Sequence, residues 1–244
     1  MLHPPLQGEG AGEPHPRGVV LHPAGQVGHP MAEIDHIVIG ARTLEEGAAF
    51  VRSHLGADPV AGGVHEGVGT HNMLLGLGAE CYLEVIAPDP AQPEPPHPRP
   101  FDLDEPAMRQ MLEAGPRLIA YVARTPVLDA VAARLGPGGM GEVRSMRRGD
   151  LSWRMAFPPQ RQDMDNLVPA LIQWDGGASA AMRLPDSGCR LAALEGEHPE
   201  AEAVRQALAR RGLEEALRVR QSPHARLVAR LRRRDGAEVT LATA

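Results

Sequence analysis

Residues 31–56 read MAEIDHIVIG ARTLEEGAAF VRSHLG, and their pattern decides the fold class. Ile34 to Ile39 is a short β-branched run, and its pleat sends His36 and Val38 to one face and Ile37 and Ile39 to the other. Thr43 follows with Glu46 three residues on, the pairing in which a hydroxyl and a carboxylate close the first turn of a helix. Apolar Ala48, Phe50, Val51 and Leu55 carry that helix to Gly56, which ends it. Segments 63–70, 71–77 and 80–87 are three further strand candidates, parted by glycine-bearing turns of which Gly76 and Gly78 make the clearest. Residues 31–90 therefore spell a β-α-β-β-β module.

The pattern recurs. Segment 118–122 reads as a strand, Thr125 as a cap with Pro126 at the first helical position, and Leu128, Val131, Ala132 and Leu135 as a helix face ending at Gly136. Ala41-Arg42-Thr43 returns as Ala123-Arg124-Thr125, and Leu55-Gly56 as Leu135-Gly136, a spacing of roughly 80 residues that suits one supersecondary unit. Strand candidates 142–146, 151–157 and 170–174 complete a second module over 117–177. A third, weaker β-α-β-β-β-like module is expected over 186–244, either a further copy or a cap on a two-unit sheet, with a strand at 190–194, a helix started by Pro199, and strands at 217–220, 225–234 and 238–242. Between the first two modules, residues 91–116 hold a proline-dense linker, expected to be extended, and a short acidic segment. Residues 1–30 carry a single apolar run, Val19 to Leu21, and are expected to form a disordered extension ahead of a start at Met31.

Composition narrows the function classes. Net charge is −6, which offers no global attraction to nucleic acid or to an anionic membrane. No apolar run approaches the roughly 20 residues that cross a bilayer, and no signal-peptide order opens the chain, so a cytoplasmic location is expected. Aromatic residues are 3% of the chain, too few for a base-stacking surface. All 25 basic residues are arginine, which reads as coding bias. Cys81 and Cys189 lie far apart without a CxxC, so neither a disulfide framework nor a structural zinc is expected. Gly136-Pro-Gly138-Gly-Met-Gly141 has the spacing of a dinucleotide loop but follows a helix instead of a strand. Arg148-Gly149-Asp150 reads as a turn, and Arg226, Arg230, Arg232 and Arg234 as the solvated side of a half-buried strand.

The first module carries the chemistry. His36 and Glu84 both lie inside apolar strands, where an unpaired carboxylate would be costly, and His71 and Asn72 open the strand between. Two imidazoles and a carboxylate on neighbouring strands can hold a divalent metal with open positions. The same residues can instead form a hydrogen-bonded pair that steadies the sheet.

Asp35-His36-Ile-Val-Ile, Gly69-Thr70-His71-Asn72 before Leu74-Leu75, Tyr82-Leu83-Glu84-Val-Ile-Ala-Pro88-Asp89-Pro90, and Gln173-Trp174-Asp175-Gly176 together resemble the glyoxalase-like branch of the vicinal oxygen chelate superfamily, over residues 32–244. The resemblance implies an α+β fold in which repeated βαβββ modules form a curved mixed sheet around a cavity. It also implies one divalent metal held by His36 and Glu84, with Leu118 and Gln173 standing where the second module's ligands belong. Leucine cannot bind a metal, which leaves His36 and Glu84, completed by His71 and Gln173, or no metal at all. Two functions follow. One is a metal-dependent lyase, isomerase or dioxygenase using His36, His71 and Glu84. The other is a metal-free binding protein in which His71, Asn72 and Gln173 contact the ligand. The expected partner is a small molecule, with neither nucleic acid nor membrane, and a homodimer is left open.

Overall fold

A computed structural model describes residues 32–157 and 164–243, so the N-terminal extension expected at 1–30 lies outside the described residues. β1 (Glu33–Gly40) leads to α1 (Leu44–Leu55), where the Thr43 hydroxyl accepts a hydrogen bond from the Glu46 amide at 3.2 Å and Gly56 ends the helix at φ 67°. β2 (Val60–His65), β3 (Thr70–Gly76) and β4 (Tyr82–Pro88) complete the first module. β2 begins before the expected 63–70 and stops at His65, because Gly67 and Gly69, at φ 72° each, turn the chain into β3.

The acidic segment beyond the linker is not irregular. It contains α2 (Pro106–Glu113), whose Met108 and Leu112, four residues apart, share one buried face. The linker before it is more than a spacer. Buried Arg99 donates to the Gly69 carbonyl at 2.9 Å and pairs with Glu94 and Asp104, tying the linker across the end of β3.

β5 (Arg117–Arg124), α3 (Leu128–Leu135), β6 (Glu142–Arg148), β7 (Leu151–Phe157) and β8 (Ala170–Trp174) form the second module. Its helix begins later than the sequence pattern suggests. The Thr125 hydroxyl accepts from the Val127 amide at 3.3 Å and Pro126 stays outside the first turn.

All eight strands join one sheet in the order β2-β3-β4-β1-β5-β8-β7-β6. β1 runs parallel to β4 and β5 parallel to β8, while β1 and β5 meet antiparallel, so both modules have one topology and abut at their first strands. The sheet curls until its edges nearly meet. A Cβ on Gly63 of β2 would lie 2.6 Å from Arg148 Cδ at the end of β6. Val38, Leu74, Tyr82, Ile86, Val122 and Ile172 pack on the concave face, against which Phe101, Leu103 and α2 close. Ile37, Val51, Leu83, Leu118 and Tyr121 pack on the convex face beneath the helices.

β9 (Arg190–His198), α4 (Ala201–Ala209), β10 (Arg218–Gln221), β11 (Arg226–Arg232) and β12 (Glu238–Ala242) follow the expected element order. Their sheet order, β10-β9-β11-β12, differs from that of the two paired modules. In the paired modules the far edge of the first strand is taken by the sister's first strand. β9 has no sister, and β10 covers that edge in parallel instead. Leu227, Ala229, Leu231 and Leu241 of this small sheet join the convex-face core, and Arg226, Arg230 and Arg232 face solvent. No helix among the described residues is long and apolar enough to cross a membrane.

Candidate small-molecule site

Parallel pairing of β1 with β4 sets His36 beside Tyr82 and Val38 beside Glu84. The His36 ring stacks on Tyr82 with centroids 4.5 Å apart, and its Nε2 lies 3.4 Å from Glu84 Oε2. A register shift between Ile34 and His36 leaves Asp35 unopposed by β5, and its carboxylate turns to the same group. Asp35 Oδ2 is 2.8 Å from His36 Nδ1, and Asp35 Oδ1 accepts from Trp174 Nε1 at 2.9 Å. The result is a carboxylate-imidazole-carboxylate row, with Asp35 0%, His36 4% and Glu84 5% exposed.

Burial disfavours a charge on His36, but its hydrogen bonds to Asp35 and Glu84 outweigh that penalty and raise its pKa to about 9. Burial likewise opposes the Glu84 charge, and the bond to His36, with help from His65 and Asn72, overcomes it and lowers that pKa to about 2. Both shifts favour the charged forms, His36 as an imidazolium and Glu84 as a carboxylate. Burial keeps Tyr82 protonated far above the ordinary phenol range.

Asn72 extends the row. Its Oδ1 accepts from the Gly63 amide at 2.9 Å and from Arg148 Nη1 at 3.3 Å, which fixes the amide's orientation. Its Nδ2 therefore points the other way, donating to Glu84 Oε1 at 2.6 Å and to His65 Nε2 at 3.1 Å. His65 Nδ1 then carries the proton and donates to Thr70 Oγ1 at 2.8 Å. Burial lowers the His65 pKa, which agrees with that neutral tautomer.

This network forms one wall of a small cavity. The facing wall comes from the second module and is apolar: Met146, Trp153, Met155, Ile172 and Trp174, with the two indoles 5.2 Å apart. Pro100 and Phe101 roof it. Both tryptophans of the chain lie in this one cavity.

Of the residues singled out from sequence, His36, Asn72 and Glu84 meet here. His71 does not. β3 alternates, so Asn72 enters the cavity and His71 emerges on the convex face, a quarter exposed and 3.8 Å from Asp89. Gln173 faces away for the same reason, its neighbour Trp174 lining the cavity while its Oε1 accepts from the Leu128 amide at 3.1 Å and from Arg154 at 3.0 Å. It caps α3. Leu118 also packs on the convex side, and β5 offers the cavity Val122 and Ala120. Asp35, His65, Arg148 and the two indoles were missed. Asp35 needed a bulge, and His65 and Arg148 needed the turn and the curl that bring them to Asn72; Asp35 and Trp174 stood inside motifs of the resemblance, but nothing local gave either a role at the site.

A divalent metal is poorly served by these donors. Among the described residues no three His, Cys, Asp or Glu side chains are grouped to hold one. The nearest approach is His36, His65 and Glu84, yet an N–H donor of Asn72 stands between His65 and Glu84. Its amide hydrogens are aimed at both acceptors and fill the gap between them. The second module adds no His, Cys, Asp or Glu to the cavity, which it lines with Met146, Trp153, Met155, Ile172, Trp174 and the cationic Arg148.

The glyoxalase-like domain model matches residues 34–212, and the chain belongs to that family. Its fold is a mixed α+β arrangement around a nearly closed curved sheet of eight strands. No curated protein sequence matches the chain. Similar solved structures include a hypothetical protein from Staphylococcus aureus, 16% identical, with TM-score 0.49, covering 86% of this chain and 84% of that one. Methylmalonyl-CoA epimerase from Mycobacterium tuberculosis is 21% identical with TM-score 0.38, covering 62% of this chain and 92% of that one. A Streptomyces coelicolor methylmalonyl-CoA epimerase in complex with 2-nitronate-propionyl-CoA is 19% identical with TM-score 0.38, covering 60% and 98%.

Proposed function

We propose that the protein captures a small molecule in the concave cavity without a metal, seating an apolar body on the indole wall opposite the polar wall of His36, Asn72 and Glu84. The observation that carries this reading is the orientation of Asn72, locked by Gly63 and Arg148 so that its NH2 group bridges Glu84 and His65. That lock makes the polar wall a self-satisfied hydrogen-bond network. A lyase, isomerase or dioxygenase working through a cation would need the ion where this NH2 group stands.

Two measurements on untagged protein test the reading. Elemental analysis after dialysis should find well under one divalent ion per chain. Tryptophan fluorescence, which reports only this cavity, should respond to small apolar ligands. A stoichiometric metal that disappears in Glu84→Gln would overturn the metal-free reading.

A further inference from the structure

Resting on that reading of the cavity, we propose that its ligand is a small carboxylate whose anionic group is held by Arg148 and whose apolar or aromatic body lies against Trp153 and Trp174. The inference starts from which polar groups are already engaged. Both oxygens of Asp35 are taken, by Trp174 and His36, and both of Glu84, by His36 and Asn72. His65 and Asn72 use each of their ring and amide groups inside the network.

Arg148 is different. Its guanidinium carries five N–H donors, and its bond to Asn72 Oδ1 is long, at 3.3 Å. Among the described residues no carboxylate pairs with it, whereas Arg99, Arg124 and Arg154, also shielded from solvent, each have one. It is half-buried, lines the cavity and lies against Gly63 at the seam where the sheet edges meet. A cation without a counter-ion beside an apolar wall favours an anion, and its planar fork fits the two oxygens of a carboxylate. Glu84 does not oppose such a ligand strongly, because His36 faces its charge at 3.4 Å. Opposite, the tilted indoles with Met146, Met155 and Ile172 provide the contact for a compact ring or branched chain.

The test uses matched pairs that differ in charge alone: phenylacetate against phenylacetamide, and 3-phenylpropanoate against its amide, titrated at pH 7 with tryptophan fluorescence as the readout. The carboxylates should bind at least about tenfold more tightly than the amides, and Arg148→Gln should abolish that preference, bringing acid and amide of each pair to equal affinity. Equal binding of acid and amide to the wild type overturns the carboxylate assignment and leaves the cavity reading intact. Failure of every compound to change the fluorescence overturns both. A preference that survives Arg148→Gln overturns the role of Arg148. If that variant does not fold by circular dichroism, Arg148→Met, which keeps the length of the side chain and removes its charge, decides by the same comparison.

Discussion

At position 72 an amide and a carboxylate would build different sites from the same neighbours. Asn72 donates into the gap between His65 Nε2 and Glu84 Oε1, and a carboxylate there would aim an acceptor at it instead. Asn72→Asp should therefore create cation affinity that the wild type lacks, seen by calorimetric titration with zinc or manganese as a gain of at least about tenfold. Equal affinity in the two proteins would mean that Asn72 does not exclude the ion. His36 sets a second residue-scale expectation. Its pKa is raised from 6.5 to about 9, so the stability it contributes is complete below 6.5 and is lost as pH rises through 9. Glu84 is lowered from 4.5 to about 2, so its contribution is complete above 4.5 and is lost as pH falls toward 2. The melting temperature should peak between these limits, at pH 4.5 to 6.5, and His36→Gln should flatten the alkaline decline. An alkaline limb unchanged in that variant would remove His36 as its cause.

Among the elements, β2 is the one whose local form the site depends on. Its register shifts between Ala61 and Gly63, and Gly62 lies so close to β3 that an added Cβ would be 2.0 Å from Asn72 Oδ1 and 3.0 Å from the Asn72 carbonyl oxygen. Gly62→Ala must push the Asn72 amide off its partners. It should cost about 1–3 kcal/mol by thermal or urea melting and weaken ligand quenching of the tryptophans, with a silent substitution refuting the close approach. Thr43→Ala is the contrasting change, at the far side of the sheet. Loss of the cap at the start of α1 should cost about 1 kcal/mol and leave cavity binding as it was. The cap was legible in sequence because threonine and glutamate act across three residues. The bulge was not, because its glycines are explained only by β3 pressing against them.

For the molecule as a whole, the unit over 186–244 works as a cover. Its Leu227, Ala229 and Leu231, all 0% exposed, share a core with Leu118 and Tyr121 of β5, and buried Cys189 lies 3.7 Å from the Leu55 carbonyl at the end of α1. A chain ending at Pro185 would lay that convex face bare, and such a patch drives association. The truncated protein is expected to aggregate or to lose its cooperative melt in size-exclusion and calorimetric measurements. A monomer melting where the full chain does would show the eight-stranded sheet to be self-sufficient.

Local pattern was enough for the two βαβββ modules, their shared topology and the presence of His36, Asn72 and Glu84 on one sheet, because caps, alternation and an internal repeat act over a few residues. It was not enough for the direction of His71 and Gln173, which a pleat period reveals only once the cavity face of each strand is known. Nor could it place Asp35, His65 and Arg148, which reach the site through a bulge, a turn and the closure of the sheet on itself. Arginine seemed uninformative as one of 25 alike, and burial beside Asn72 is what sets Arg148 apart. Sequence supplied the donors of the polar wall; tertiary contacts alone decided which way the Asn72 amide points, and through it whether those donors face a cation or one another.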